Sequence, residues 1–212
     1  MTEVVLYDYW RSSASYRLRI ALNLAGIAYR PVVIDLVGGA HRTADHLARN
    51  PQGLVPVLDI DGLRLTQSLA ILDYLDETRQ MGLLPQDPAQ RAAARALAQS
   101  IAVDIHPVCN LSVARHATQL SAGAGDMPGD WMRHFIRPGL LAFEALLGNF
   151  EQSPFCTGDT PGLADICLIP QLYNARRWEV DLTDMPRLLA VEAVCSDHPA
   201  FAAAHPDLHA SV

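Results

Sequence analysis

The pattern of apolar and polar positions changes character along the chain. Residues 4–9, Val-Val-Leu-Tyr-Asp-Tyr, carry strand-forming side chains, whereas residues 15–25 place Leu18, Ala21, Leu22 and Ala25 at helical spacing. Gly26 suits the position just past a helix end. "YRPVVIDL" from Tyr29 reads as a second strand entered through Pro31, completing a β-α-β unit whose crossover should be right-handed. Residues 43–49 predict a short helix. "NPQGLVPVLDIDGLRLTQS" then supplies a turn, a strand, an Asp61-Gly62 hairpin signal and another strand. "LAILDYLDETR" follows as an amphipathic helix that Ser68 is placed to N-cap. The order to this point is βαβαββα.

Beyond "GLLPQDPAQ", whose glycine and two prolines interrupt the pattern, strand texture gives way to Ala-rich helical periodicity. A boundary near residue 86 divides the chain into an α/β half, residues 1–85, and an all-α half, residues 86–212. Helices are predicted at about 88–120, 128–150, 161–178 and 186–196, with ends good to ~2–4 residues. "SAGAGDMPGD" reads as a flexible turn between two of them.

Composition narrows the function classes. A chain of 212 residues, half of them apolar, can bury one sizeable core or two small ones. Its net charge of -7 disfavours non-specific attraction to nucleic acid or an anionic membrane. No basic leader precedes the first apolar run, and charge interrupts every later one well before the ~18 residues of a membrane span. Cys109, Cys156, Cys167 and Cys195 form no C-x-x-C pair, which argues against a zinc cluster or dithiol centre and suits a reducing cytoplasm. No metal site is expected.

In order along the chain stand "RSSASYRLRIAL", "NPQGLVPVL", "TQSLAILDYL", "DIHPVCNLSV" and "GLADICLIPQLYNARRWEVDLT". Together with the βαβαββα-then-helical layout, this collinear set resembles the zeta-class glutathione transferases, and within them the maleylacetoacetate and maleylpyruvate isomerases. The resemblance spans nearly the whole chain. It implies the glutathione transferase fold: an N-terminal thioredoxin-like domain followed by a C-terminal helical domain. It also implies glutathione as cofactor, a homodimer, and cis-trans isomerisation of a small dicarboxylic substrate in aromatic catabolism.

A helix N-terminus presents backbone N–H groups and a partial positive charge, so it suits a thiolate, and hydroxyl donors that bond the charged form lower a thiol's pKa. Ser12 and Ser13 are placed to donate there, although a serine pair at this point also suits plain helix capping. The family pattern Ser-Ser-Cys reads Ser12-Ser13-Ala14 here, which weakens a thiol-transferase or glutaredoxin-like activity. Arg11 offers a fork matched to a substrate carboxylate. Arg17 and Arg19 read as surface or structural residues.

By the same resemblance, Val55 before a cis Pro56 offers backbone groups to the peptide, and Gln67 with Ser68 receives the γ-glutamyl carboxylate. Gln52 and His41 are further glutathione contacts, His41 standing where relatives often carry Gln. Pro107 inside a helical pattern must kink the helix or free a carbonyl. His106 and Asn110 then share a helix face flanked by Asp104, a region that in relatives faces glutathione, partly across the dimer interface. Ser112 stands where bacterial relatives often have Arg, which shifts the grip on substrate to Arg11 and Arg177. Adjacent arginines on a helix point about 100° apart; Arg177 matches the family's carboxylate ligand and Arg176 is left to solvent. Asp165 reads as structural, after Gly162 in place of a capping Ser or Thr. The alternatives are a conjugating glutathione transferase acting on small halogenated acids and a non-catalytic glutathione-binding module.

Overall fold

The computed structural model describes residues 3–121, 126–151 and 153–210. It comprises two compact units, Met1–Gly82 with His198–Val212, and Leu83–Asp197. The C-terminal segment thus packs with the N-terminal half, although local periodicity groups it with the helical half.

In the first unit, strands β1 (Val5–Asp8), β2 (Arg30–Val33), β3 (Val57–Ile60) and β4 (Leu63–Thr66) form one sheet in the order β2-β1-β3-β4. β1 and β2 run parallel, and β3 is antiparallel to both its neighbours. Helices α1 (Ser13–Leu24), α2 (Ala44–Arg49) and α3 (Ser68–Arg79) complete the thioredoxin-like βαβαββα order, with a 3-10 turn at Ala40–Arg42. Gly26 takes φ +64°, and the Gly26 and Ile27 amides donate to the Asn23 and Leu22 carbonyls, so the glycine ends α1 in a complete Schellman motif. Asp61 and Gly62 both have positive φ (54° and 80°), the backbone that a tight two-residue hairpin demands.

Arg17 and Arg19 are both buried, 2% and 0% exposed, so the surface alternative for them is wrong. The Arg19 guanidinium donates to both Asp8 carboxylate oxygens (2.9 and 2.7 Å), to the Trp10 carbonyl (2.8 Å) and to the Ala204 carbonyl (3.1 Å). With Asn23 Nδ2 donating to the Ala200 carbonyl at 3.0 Å, it anchors the C-terminal segment, including the short helix Pro199–Ala202, to α1.

The second unit contains α4 (Pro88–Gln99), a π-helical stretch (Ser100–Ile105), α5 (His106–Val108), α6 (Leu111–Leu120), α7 (Met127–Leu147), α8 (Leu163–Arg177) and α9 (Pro186–Asp197). The single helix expected over 88–120 is therefore corrected. Pro107 has no N–H to continue the ladder; the preceding His106 amide reaches back five residues to the Ile101 carbonyl, and the chain leaves the helix at Asn110 (φ -74°, ψ 153°). Gly139 of α7 lets this irregular stretch pack closely, since a Cβ there would lie 2.4 Å from Ile105 Cδ1. Of the expected turn "SAGAGDMPGD", residues 122–125 lie outside the described residues. No described helix is long and apolar enough to cross a membrane.

Arg19→Met leaves Asp8 buried without its cation, and breaking a buried pair in this way costs about 3–5 kcal/mol. Urea denaturation should show a loss of that size, with the midpoint far below that of the parent chain.

Candidate active site

The strand β1 ends in a turn that delivers three of the expected site residues to the head of α1. The Ser12 amide donates to the Tyr9 carbonyl (2.9 Å), and Ser12, with extended backbone, N-caps the helix: its Oγ accepts from the Ser15 amide at 3.2 Å. Capping and thiolate binding are compatible, because the cap uses a lone pair and leaves the hydroxyl proton to be donated. Ser13 is the first helical residue, half-buried beside it. Arg11 is aimed by its neighbours: Nη2 donates to the Tyr9 hydroxyl (3.1 Å), and Cζ lies 4.6 Å from the centroid of the Trp10 ring. Trp10 is in turn fixed through its carbonyl by Arg19.

A second group gathers around the turn before β3 and the head of α3. The Val55–Pro56 peptide is cis. Gln67 Nε2 donates to Gln52 Oε1 at 2.8 Å, so these two expected contacts are brought together. Ser68 was expected to N-cap α3, and here the structure corrects the sequence: Gln67 occupies the cap position with φ +69°, without a side-chain cap bond, and Ser68 is the first helical residue. The buried Ser68 hydroxyl instead accepts from Arg17 Nη1 at 3.1 Å. Positive φ at a glutamine is sparsely populated backbone, and such residues cluster at ligand sites. His41 lies in the 3-10 turn; its carbonyl is 3.1 Å from where a Cβ on Gly53 would stand, which places it against the Gln52–Gly53 turn.

Sequence reasoning missed the residue that shapes this turn. Asn50, 2% exposed, accepts from the Gln52 amide (3.1 Å) and donates to the Leu54 carbonyl (2.9 Å), to which the buried His46 Nε2 also donates (3.0 Å). The Asn-Pro dipeptide was a visible signal, since asparagine side chains close turns of this kind.

The remaining candidates belong to the second unit. Asp104 is exposed on the π-helical stretch and His106, half-buried, opens α5. Asn110 does not share a helix face with His106, because the helix has ended: its Oδ1 caps α6, accepting from the Ser112 amide and hydroxyl (both 2.8 Å). At the end of α8, Arg176 is ion-paired with Glu192 of α9, whereas the exposed Arg177 donates to Asn174 Oδ1 (3.3 Å) and lies 5.7 Å from the Trp178 ring centroid. Asp165 is fully buried and accepts from the Gly162 and Cys156 amides, both at 2.8 Å; burial raises its pKa against those two bonds.

None of the four cysteines is in a disulfide, and all four are buried. Burial pushes the Cys109 thiol up to about 11 and raises Cys156 and Cys195 as well. With alanine at position 14, the α1 terminus has a hydroxyl pair but no thiol of its own, so a nucleophilic sulfur there has to arrive with a ligand.

A thioredoxin-like unit carrying a cis proline, a serine-headed first helix and a helical partner domain defines a class. The chain belongs to the glutathione S-transferase family: the model of its N-terminal domain matches residues 2–77, and that of its C-terminal domain residues 131–209. Over 97% of both chains it is 59% identical to the maleylacetoacetate isomerase of Rhizobium meliloti (strain 1021). Among solved structures, a holo maleyl pyruvate isomerase, a bacterial glutathione S-transferase of the zeta class, is 40% identical with a TM-score of 0.92, covering 95% of this chain and 96% of that one. The maleylacetoacetate isomerase of Anaeromyxobacter dehalogenans 2CP-1, with dicarboxyethyl glutathione and citrate bound in its active site, is 41% identical with a TM-score of 0.84, covering 97% and 95%.

Thiol titration with a chromogenic disulfide at pH 7.5 should proceed slowly on the native chain and release four equivalents once guanidinium unfolds it. A rapid equivalent from the native chain would place a reactive cysteine in the fold.

Proposed function

We propose that this protein is a glutathione-dependent cis-trans isomerase converting maleylacetoacetate or maleylpyruvate to its fumaryl isomer. Full-length identity of 59% with a maleylacetoacetate isomerase carries this assignment most strongly. The dicarboxyethyl glutathione bound by a 41%-identical relative supports the chemistry, since that compound is what results when a thiol adds across a butenedioate.

In the cis substrate the carbon-carbon double bond does not rotate at a useful rate. Glutathione's thiolate attacks one alkene carbon; a carbon-sulfur bond forms while the π electrons move onto the adjacent carbonyl as an enolate. The former double bond, now single, rotates. Collapse of the enolate re-forms the double bond in the trans geometry and expels the thiolate, so glutathione is regenerated and no net proton or electron is consumed.

Ser12 donates its hydroxyl proton to the sulfur at the positive end of α1, with Ser13 in support, and this favours the charged nucleophile. Arg11, aimed by the Tyr9 hydroxyl and the Trp10 ring, binds a carboxylate and the charge that develops on the enolate. Arg177 is the carboxylate ligand contributed by α8, its neighbour Arg176 being committed to Glu192. Glutathione is held through the backbone of Val55, the paired side chains of Gln52 and Gln67, and Ser68 at the head of α3, with His41 beside the Gln52 turn and Asp104, His106 and Asn110 as contacts from the helical unit. A homodimer in a cytoplasmic setting completes the proposal; family resemblance supports the first and four cysteines outside any disulfide the second.

Loss of the maleyl substrate's ultraviolet absorption, followed with and without glutathione, tests the function directly, and the fumaryl product must be identified. Isomerisation that runs equally well without glutathione refutes it, and accumulation of a stable conjugate would instead indicate a transferase. Ser12→Ala should lower turnover roughly tenfold or more, at ~1.4 kcal/mol per factor of ten, and cost ~1 kcal/mol of stability through the lost cap. Ser12→Asp separates the two roles: aspartate caps as well as serine does, yet it offers no proton to a thiolate and repels it. Thermal melts should match the parent chain while turnover falls further than in Ser12→Ala.

A further inference from the structure

The geometry points to Arg17 as a positioning residue for glutathione binding, one that fixes the polarity of the Ser68 hydroxyl so that its proton is directed to the γ-glutamyl carboxylate. The inference rests on the proposal that Ser68 receives that carboxylate. Arg17 lies on α1 and is 2% exposed, so its guanidinium cannot reach bulk ligand; it reaches Ser68 instead, Nη1 to Oγ at 3.1 Å.

A serine hydroxyl in isolation is an undecided group, with one proton and two lone pairs free to rotate to suit any neighbour. An arginine removes the choice. It is always protonated and carries donors only, so the Ser68 oxygen facing it must accept. The hydroxyl proton is then left for another acceptor, and the group becomes a donor before any ligand arrives. Donors fixed in advance bind an anion without the cost of reorienting.

Two features of the local fold make this useful. Ser68 is the first residue of the twelve-residue α3, so its hydroxyl sits with the backbone amides of the helix head, where partial positive charge favours an anion. Because Gln67 occupies the cap position, the Ser68 side chain is not consumed in capping and is available to a ligand. The Arg17 charge, one hydrogen bond behind, adds to the same potential.

The rival role for Arg17 is support of the α1–α3 packing alone. Binding of glutathione and of 4-aminobutanoyl-cysteinylglycine, the same tripeptide without the γ-glutamyl carboxylate, separates the two when measured by calorimetry on the full chain. The parent chain should prefer glutathione, and Ser68→Ala should cut that preference about tenfold, the value of one charge-assisted hydrogen bond. Arg17→Met should cut it by three- to tenfold while leaving affinity for the carboxylate-free peptide unchanged, and should add little when combined with Ser68→Ala. If Arg17→Met weakens both ligands equally, or leaves the preference intact, Arg17 only supports the core and the inference falls while Ser68 keeps its role. If Ser68→Ala leaves the preference unchanged, it is the carboxylate site itself that is misassigned. Should Arg17→Met fail to fold by circular dichroism, Arg17→Gln carries the same comparison, being too short to reach Ser68, with the same outcomes supporting or overturning the inference.

Discussion

The candidate site at the head of α1 depends on one buried guanidinium. Arg19 is wholly out of solvent, and a charge in that position is tolerable only because every direction it faces holds an acceptor: the Asp8 carboxylate, the Trp10 carbonyl and the Ala204 carbonyl. Asp8 is the last residue of β1 and Trp10 lies in the turn that follows, so the fork sets how the chain leaves the sheet. Arg11 and Ser12 come immediately after. Their placement is therefore a consequence of core electrostatics, transmitted through two or three residues of turn.

The first unit uses the same physical device twice. Both α1 and α3 begin at the end of a strand, and both present a serine at the helix head, where the backbone supplies positive potential. The two serines are used differently. Ser12 spends a lone pair on the Ser15 amide, whereas the Ser68 oxygen is engaged by a cation from a neighbouring helix, the cap position having passed to Gln67. Between them lies the turn organised by Asn50, whose uncharged side chain hydrogen-bonds to backbone groups and sets where Gln52 stands for Gln67 to meet it. Each of these three segments carries a contact from a buried polar side chain, Arg19 at Trp10, Asn50 at Gln52 and Arg17 at Ser68, and Tyr9 and Val55 also share a buried apolar cluster.

The helical unit shows how a single missing donor propagates. Pro107 cannot continue the hydrogen-bond ladder, so the turn before it widens to π spacing and the chain leaves the helix three residues later. Asn110 closes the break by capping the next helix. Its side chain is committed to Ser112, so a position that looks like a ligand contact in a straight helix has a structural duty first.

The elements whose causes are local are legible in the residues alone: the β-α-β opening, the Asp61-Gly62 hairpin, the Gly26 helix stop, and the Ser12-Ser13 pair at a helix start. Each follows from backbone preference or from a period read within a dozen residues. The sequence also carried enough collinear motif to indicate the family and glutathione. Tertiary structure alone decided the fate of the polar groups. Nothing in the local pattern of α1 marks Arg17 and Arg19 for burial; it is tolerable because Ser68 and Ala204 arrive from distant segments and Asp8 from the preceding strand. The same holds for the C-terminal segment, which joins the first unit through buried side chains such as Phe201 and Ala204 and through two side-chain-to-carbonyl bonds spanning more than a hundred and seventy residues. Local pattern records which residues prefer water; whether a charge can leave it depends on partners that only the folded chain brings within reach.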